Sequence, residues 1–323
     1  MKILVVRFSS MGDIIYTTPV VRCLKQQLPD AEIHFLTKPA FKYIYDNNPH
    51  LDKLLLLQPK LADTIKEIQA EHYDYLIDLH SNLRTRIIKL RTGIKSSTYN
   101  KERIGKWLTL KFRFKLIKPT HLVDRYLKTV KFLGVKNDNL PIDYYIKNQY
   151  QLIDLLPASH QKFVAFIIGA THFTKRMPNE KVISICRKIN KPIVLLGGND
   201  VKTNADEIAT ALGSQAYNAC GVTTLDQSVF LVSQAQSIIG FDTGLTHIAE
   251  AFDKPIASIW GSTIPELLGV QPYKVKQSLI AGVNLSCRPC SKFGRESCPQ
   301  GHFRCMKDID EQKVVNFILD SSV

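Results

Sequence analysis

Three short segments carry residues able to manage a proton and an anionic group. The first is Ser9-Ser10-Met11-Gly12-Asp13. Its carboxylate can take a proton from a substrate hydroxyl, or can simply favour the positive end of a helix. It lacks the G-x-G-x-x-G spacing of a dinucleotide loop. The second runs Gly169-Ala170-Thr171-His172-Phe173-Thr174-Lys175-Arg176. Thr171 offers a hydroxyl and Lys175 a compact cation, the pair a phosphate needs. A solvated basic loop would look the same. The third is Gly240-Phe241-Asp242-Thr243-Gly244-Leu245-Thr246-His247. Gly244 lets a backbone approach a ligand closely, and the helix that follows presents unsatisfied N–H groups to an anion. His247, three residues past Gly244, can face the same opening or sit in a capped helix as a core residue.

Each segment follows an apolar, β-rich run and precedes a helical pattern. The periodicity predicts strands over Lys2–Val6, Glu32–Leu36, Leu54–Leu57 and Tyr75–Leu79. Helices are predicted over Ile14–Leu28, Leu61–Ala70 and Leu122–Leu133. The alternation stalls in the polar stretch Val135–Gln161, which holds Pro141 and Pro157. It restarts with a strand over Phe163–Ile168 and continues through strands Ile193–Leu196, Ser237–Gly240 and Ile256–Trp260. Helical spacing over Asp308–Leu319 closes the chain. Strands separated by helices imply parallel sheets with right-handed crossovers. The expectation is two doubly wound α/β domains, 1–155 and 156–323, with ligands beyond the carboxyl ends of the strands.

At 323 residues the chain suits two domains of about 150 residues each. No apolar run approaches the roughly 20 residues of a membrane-spanning helix. The N-terminal Met-Lys-Ile-Leu-Val-Val-Arg reads as a buried first strand rather than a secretory leader, so a cytoplasmic protein is expected. The net charge of +14 is uneven: residues 1–155 hold 26 Lys and Arg against 15 Asp and Glu. Residues 156–323 hold 17 against 14. The first half therefore faces or tolerates something anionic.

Taken in order, Ser-Ser-Met-Gly-Asp, the T-x-x-x-K-R loop, D-T-G-x-x-H and Gly261-Ser262-Thr263-Ile264-Pro265 resemble glycosyltransferase family 9. These are the ADP-heptose:lipopolysaccharide heptosyltransferases. The resemblance spans almost the whole chain. The Cys-Arg-Pro-Cys to Gly-His-Phe-Arg-Cys-Met stretch is similar to the heptosyltransferase II branch. The resemblance implies the GT-B architecture, two Rossmann-like domains facing across a cleft, and in such enzymes a final helix, here about 308–320, often crosses back to the first domain. It implies inverting, metal-independent transfer from a nucleotide sugar, with no cofactor. Asp13 matches the family's base. Lys175 matches a cation that meets charge on the donor diphosphate. Thr171, Lys175, Asp242, Thr243, Gly244 and His247 match donor-site positions. Ser10, Gly12, His80, Asn82 and Arg84 fall on the acceptor side. One departure stands out: where some members carry a Glu for the donor ribose, this chain has Asn199-Asp200.

Between Arg84 and Lys118 there are twelve Lys and Arg and one acid, Glu102, with Trp107, Phe112 and Phe114 interleaved. The residues alone fit a nucleic-acid surface, a membrane-surface segment or a solvated basic face. The resemblance favours an anionic glycolipid acceptor at the inner face of the cytoplasmic membrane, and no nucleic acid. Cys287, Cys290, Cys298 and Cys305 have C-x2-C-x7-C-x6-C spacing. The first pair is a zinc half-site, so the expectation is a structural zinc, a group of reduced thiols, or disulfides formed on exposure to air. Two rivals remain at this point. One is a transferase of the same fold using another nucleotide sugar. The other is a basic, zinc-stapled nucleic-acid-binding protein.

Overall fold

The computed structural model describes residues 1–102, 105–108 and 120–321. The chain forms two compact units, one of Met1–Ile104 with Thr120–Lys147, the other of Gly105–Pro119 with Asn148–Val323. The change of unit thus falls at 147/148 rather than at 155/156, and a short segment of the first half belongs to the second unit. The polar stretch after Val135 obscured the boundary because its first half still packs locally. Arg22 there pairs with Asp138 and Asp143, and the Asp143 N–H donates to Thr18.

The first unit holds a five-stranded sheet of β1 (Lys2–Val6), β2 (Glu32–Thr37), β3 (Lys53–Leu56), β4 (Tyr75–Asp78) and β5 (Lys95–Thr98). All pairings are parallel, in the order β3-β2-β1-β4-β5. The second unit holds β6 (Val164–Ile167), β7 (Ile193–Leu196), β8 (Ala216–Asn218), β9 (Ser237–Phe241), β10 (Ile256–Trp260) and β11 (Ser278–Gly282). Their order is β11-β10-β9-β6-β7-β8, again all parallel. Each is a doubly wound, Rossmann-like sheet. In each, chain order reverses once, between β1 and β4 and between β6 and β9.

The central strands are apolar because helices cover both faces. Ile3 to Val6 and the whole of Val164–Ile167 are buried. Leu4, Val6, Leu36, Leu76 and Ile88 build one side of the first core. Phe166, Ile185, Leu195, Ile239 and Phe241 anchor the second. The edge strands β5 and β8 escape the sequence pattern for the opposite reason. Lys-Ser-Ser-Thr and Ala-Tyr-Asn are polar and at most half-buried.

Two expected elements differ. The helix expected over Ile14–Leu28 is two helices, Met11–Ile15 and Thr18–Gln27. Pro19 has no N–H and its ring conflicts with the carbonyl four residues earlier. The last helix, Glu311–Asp320, starts three residues later than expected and packs within the second unit. Val314, Val315 and Ile318 join the second core, while Glu311 pairs with Lys181 and Lys188 of the helix Asn179–Ile189.

Candidate active site

In a doubly wound sheet the crevice opens where strand order reverses. In the first unit that point lies between the loops after β1 and β4. Asp13 is at the third position of the helix Met11–Ile15, with Ser10 at its N-cap. Its Oδ2 lies 2.7 Å from Nη2 of Arg7 and accepts from the Ser10 hydroxyl at 3.0 Å. Burial raises the Asp13 pKa, but Arg7 and the Ser10 donors outweigh it and hold the carboxyl below its ordinary range. The group is ionised, yet about a third of its side chain stays exposed.

Arg7 was not singled out from sequence, because a lone Arg after a strand has no distinguishing neighbour. Its guanidinium is buried, donates to the Leu79 carbonyl at 2.6 Å and lies 5.9 Å from the Tyr126 ring centroid. It therefore ties the Asp13 loop to the loop after β4. In that second loop the Asp78 carboxylate accepts from the His80 and Ser81 N–H groups at 3.0 and 2.7 Å. The His80 ring lies tilted against that of Phe8, centroids 5.0 Å apart. Burial, with Arg7 and Lys101 nearby, lowers its pKa to about 4, so it is neutral at pH 7. Asn82 caps the helix Leu83–Thr92, its amide oxygen accepting from the Thr85 N–H. Ser10 and Arg84 are exposed, and Gly12 is half-buried.

In the second unit the reversal lies between the loops after β6 and β9. Here Lys175 and Asp242 meet, Nζ to Oδ2, at 2.5 Å. Thr263 donates to the same oxygen at 3.0 Å. His247 faces the other Asp242 oxygen at 3.4 Å and Glu250 at 3.0 Å. Asp242, His247 and Glu250 are all under one-tenth exposed. Burial opposes the charge on both Asp242 and His247, but their neighbours of opposite sign prevail. Asp242 falls to about 2 and His247 rises to about 9. His247 thus sits behind Asp242 as a buried imidazolium rather than at the opening. The sequence gives no signal for Glu250, and it marks Thr263 only as part of the Gly261–Pro265 motif, with no role of its own.

Thr243 is the N-cap of the helix Gly244–Ala249 and makes no side-chain capping bond. Thr243 and Gly244 are half-buried, and Thr171 is exposed on its loop. Thr174, not Thr171, is the buried threonine of that loop. Its hydroxyl meets Ser262 at 2.9 Å and accepts from the Arg295 N–H at 2.7 Å. Arg176 pairs with Asp200 at 2.6 Å, so Asn199-Asp200 helps brace the lysine loop. Gly240 lets β9 pass close to the following helix: a Cβ there would lie 2.3 Å from the Thr246 hydroxyl.

The four clustered cysteines are free thiols. Among the described residues the three-ligand group at metal-like spacing is Glu32, His34 and Glu71, not these thiols. Glu71 already pairs with Lys2 and Lys53. Cys287 and Cys290 line an open cavity of about 810 Å3 together with Trp107, Lys292 and Arg295. The basic stretch is divided: it changes unit after Ile104. Lys106 is buried, while Lys111, Phe112, Arg113, Phe114 and Lys115 lie outside the described residues.

The profile of glycosyltransferase family 9 (heptosyltransferase) matches residues 61–299, nearly three-quarters of the chain. This chain belongs to glycosyltransferase family 9. Lipopolysaccharide heptosyltransferase 3 of Escherichia coli K12 is 28% identical over 78% of this family 9 chain and 80% of its own length. The structure of E. coli ADP-heptose lipopolysaccharide heptosyltransferase II superposes with a TM-score of 0.74 at 19% identity, covering 100% and 98% of the two chains. E. coli heptosyltransferase WaaC with ADP-2-deoxy-2-fluoro heptose gives 0.69 at 19%, covering 99% of each. The glycosyltransferase therefore has the GT-B fold class, with a Rossmann-like sheet in each unit. The matched span includes Lys175 and Asp242 and leaves out Asp13.

Proposed function

We propose that this glycosyltransferase moves a heptose from ADP-heptose to the inner core of a lipopolysaccharide precursor, inverting the anomeric carbon without a divalent metal. The observation that carries the reading is the chemistry at the two points of strand reversal. One holds an ionised, partly exposed carboxylate, Asp13. The other holds the Lys175 ammonium beside the Thr243–Gly244 helix start. One relative by fold is a heptosyltransferase seen with an ADP-heptose analogue.

Asp13 accepts the proton of the acceptor hydroxyl. The freed oxygen pair forms the new bond to the anomeric carbon. The bond from that carbon to the diphosphate oxygen breaks, and its electrons leave with ADP. Lys175 and the free N–H groups of the helix start stabilise charge as it grows on the diphosphate. The row Lys175, Asp242, His247, Glu250 is neutral as a whole. Asp242 therefore holds the lysine in place through its carboxylate and its carbonyl, and the ammonium's third N–H serves the phosphate. Thr171 and Thr243 add hydroxyl donors.

The acceptor is a lipid-linked anion, so the enzyme works at the inner face of the cytoplasmic membrane. Among the described residues no helix is long and apolar enough to cross one. A panel of ADP-, UDP- and GDP-sugars tests the reading, with transfer expected from ADP-heptose. Efficient transfer from a UDP- or GDP-sugar and none from ADP-heptose would overturn it.

A further inference from the structure

The helix Leu83–Thr92 carries apolar residues on two opposite faces. Thr85 and Ile88 are buried against the first unit. Leu83 and Leu90 point outward, 71% and 83% exposed. At roughly 100° per residue, Leu83, half-buried Ile87 and Leu90 share one outward stripe. Arg84 and Arg91 flank it on one side, Arg86 and Lys89 on the other. The arginines are exposed, and the helix contains no acid. A helix that needed only to pack inward has no reason to present two leucines two turns apart, with Ile87 between them, flanked by rows of basic residues. That arrangement suits a surface with an apolar interior and an anionic face.

We infer that the outward face of Leu83–Thr92 docks this enzyme on an anionic lipid bilayer, with Leu83, Ile87 and Leu90 entering the acyl boundary and the arginines meeting the headgroups. The inference rests on the lipid-linked acceptor proposed above and names the surface that reaches it. Position supports it. The helix starts directly after the His80–Asn82 loop, and Arg7 bridges Asp13 to Leu79, four residues before Leu83. Docking here places the leaflet beside the proposed base. Charge decides against a second copy of the chain as occupant, since two such faces would oppose arginine with arginine.

The test is co-sedimentation of the full chain with phosphatidylcholine vesicles, with and without phosphatidylglycerol, alongside calorimetric ADP binding. The wild type should partition onto the anionic vesicles, weakly onto the neutral ones, and less in high salt. Arg86→Gln with Arg91→Gln should lower partitioning about tenfold to thirtyfold, as two cations at such a surface require. Leu83→Ser with Leu90→Ser should lower it at least about tenfold, with an unchanged circular dichroism spectrum. Both variants should bind ADP like the wild type. Vesicle binding that is absent in the wild type, or equal in all three proteins, would overturn the docking surface. So would variants that keep vesicle binding and instead lose affinity for duplex DNA. A wild type that binds vesicles but not ADP would count against the donor reading and leave this surface standing.

Discussion

The Lys175 ammonium and the Asp242 carboxylate touch, Nζ to Oδ2 at 2.5 Å, at the strand reversal of the second sheet. The lysine expected to meet a phosphate is therefore held by a buried acid, and that acid is held in turn by His247 and Thr263. Removing one partner of such a pair leaves an uncompensated charge, which costs about 3–5 kcal/mol. Lys175→Met should thus lose ADP affinity and also lower the melting temperature. Lys175→Met with Asp242→Asn should recover much of the stability and none of the affinity. Calorimetry and thermal melts of the three proteins separate the two effects, and recovery of ADP binding in the double variant would exclude Lys175 as a phosphate ligand.

Asp13 and Arg7 make a second coupled pair. Asp13→Asn should preserve the fold and ADP affinity while lowering turnover by about 10²–10⁴-fold, the range of a general base. Arg7→Gln should leave Asp13 less firmly placed and let its pKa climb from below the ordinary range. The acid limb of the pH–rate profile should then shift upward. An unshifted limb would mean that Asp13 is not the titrating group.

Stability should depend on pH through His247. Its folded pKa of about 9 exceeds the ordinary 6.5, so its contribution is complete below pH 6.5 and is lost as pH rises to about 9. Asp242 acts at the other end: its contribution is complete above pH 3.8 and is lost as pH falls to about 2. The melting temperature of His247→Gln, subtracted from that of the wild type, should give a difference that shrinks between pH 6.5 and 9. A constant difference across that range would show that the imidazole is not held protonated.

Gly240→Ala should destabilise the second unit by about 1–3 kcal/mol, as overpacking does. The new Cβ meets Thr246 at 2.3 Å. Adding Thr246→Ala should recover part of the loss in a chemical denaturation series.

Turnover should survive EDTA, because the proposed mechanism gives a lysine and a helix start the role of a divalent ion. Full loss restored by magnesium or manganese would contradict this. Elemental analysis of the same sample reports whether Cys287, Cys290, Cys298 and Cys305 gather zinc.

The alternating sheets and helices were legible in the sequence because a parallel strand covered on both faces must be apolar, and a helix must show its own period. The three loops stood out because a Gly or a charged residue just after a buried strand has little reason to be there except a turn or a ligand. Leu83–Thr92 was missed as a helix because apolar residues on two faces erase the single stripe that periodicity detects. What only the tertiary structure decided is partnership. Nothing in the local sequence brings Arg7 to Leu79, 72 positions away, or Lys175 to Asp242, 67 positions away. The order of parallel strands does that. It places the first strand of each sheet beside the fourth, and so sets their loops edge to edge. Charges that read singly as solvated or capping groups become paired, buried and shifted in pKa only once that order exists.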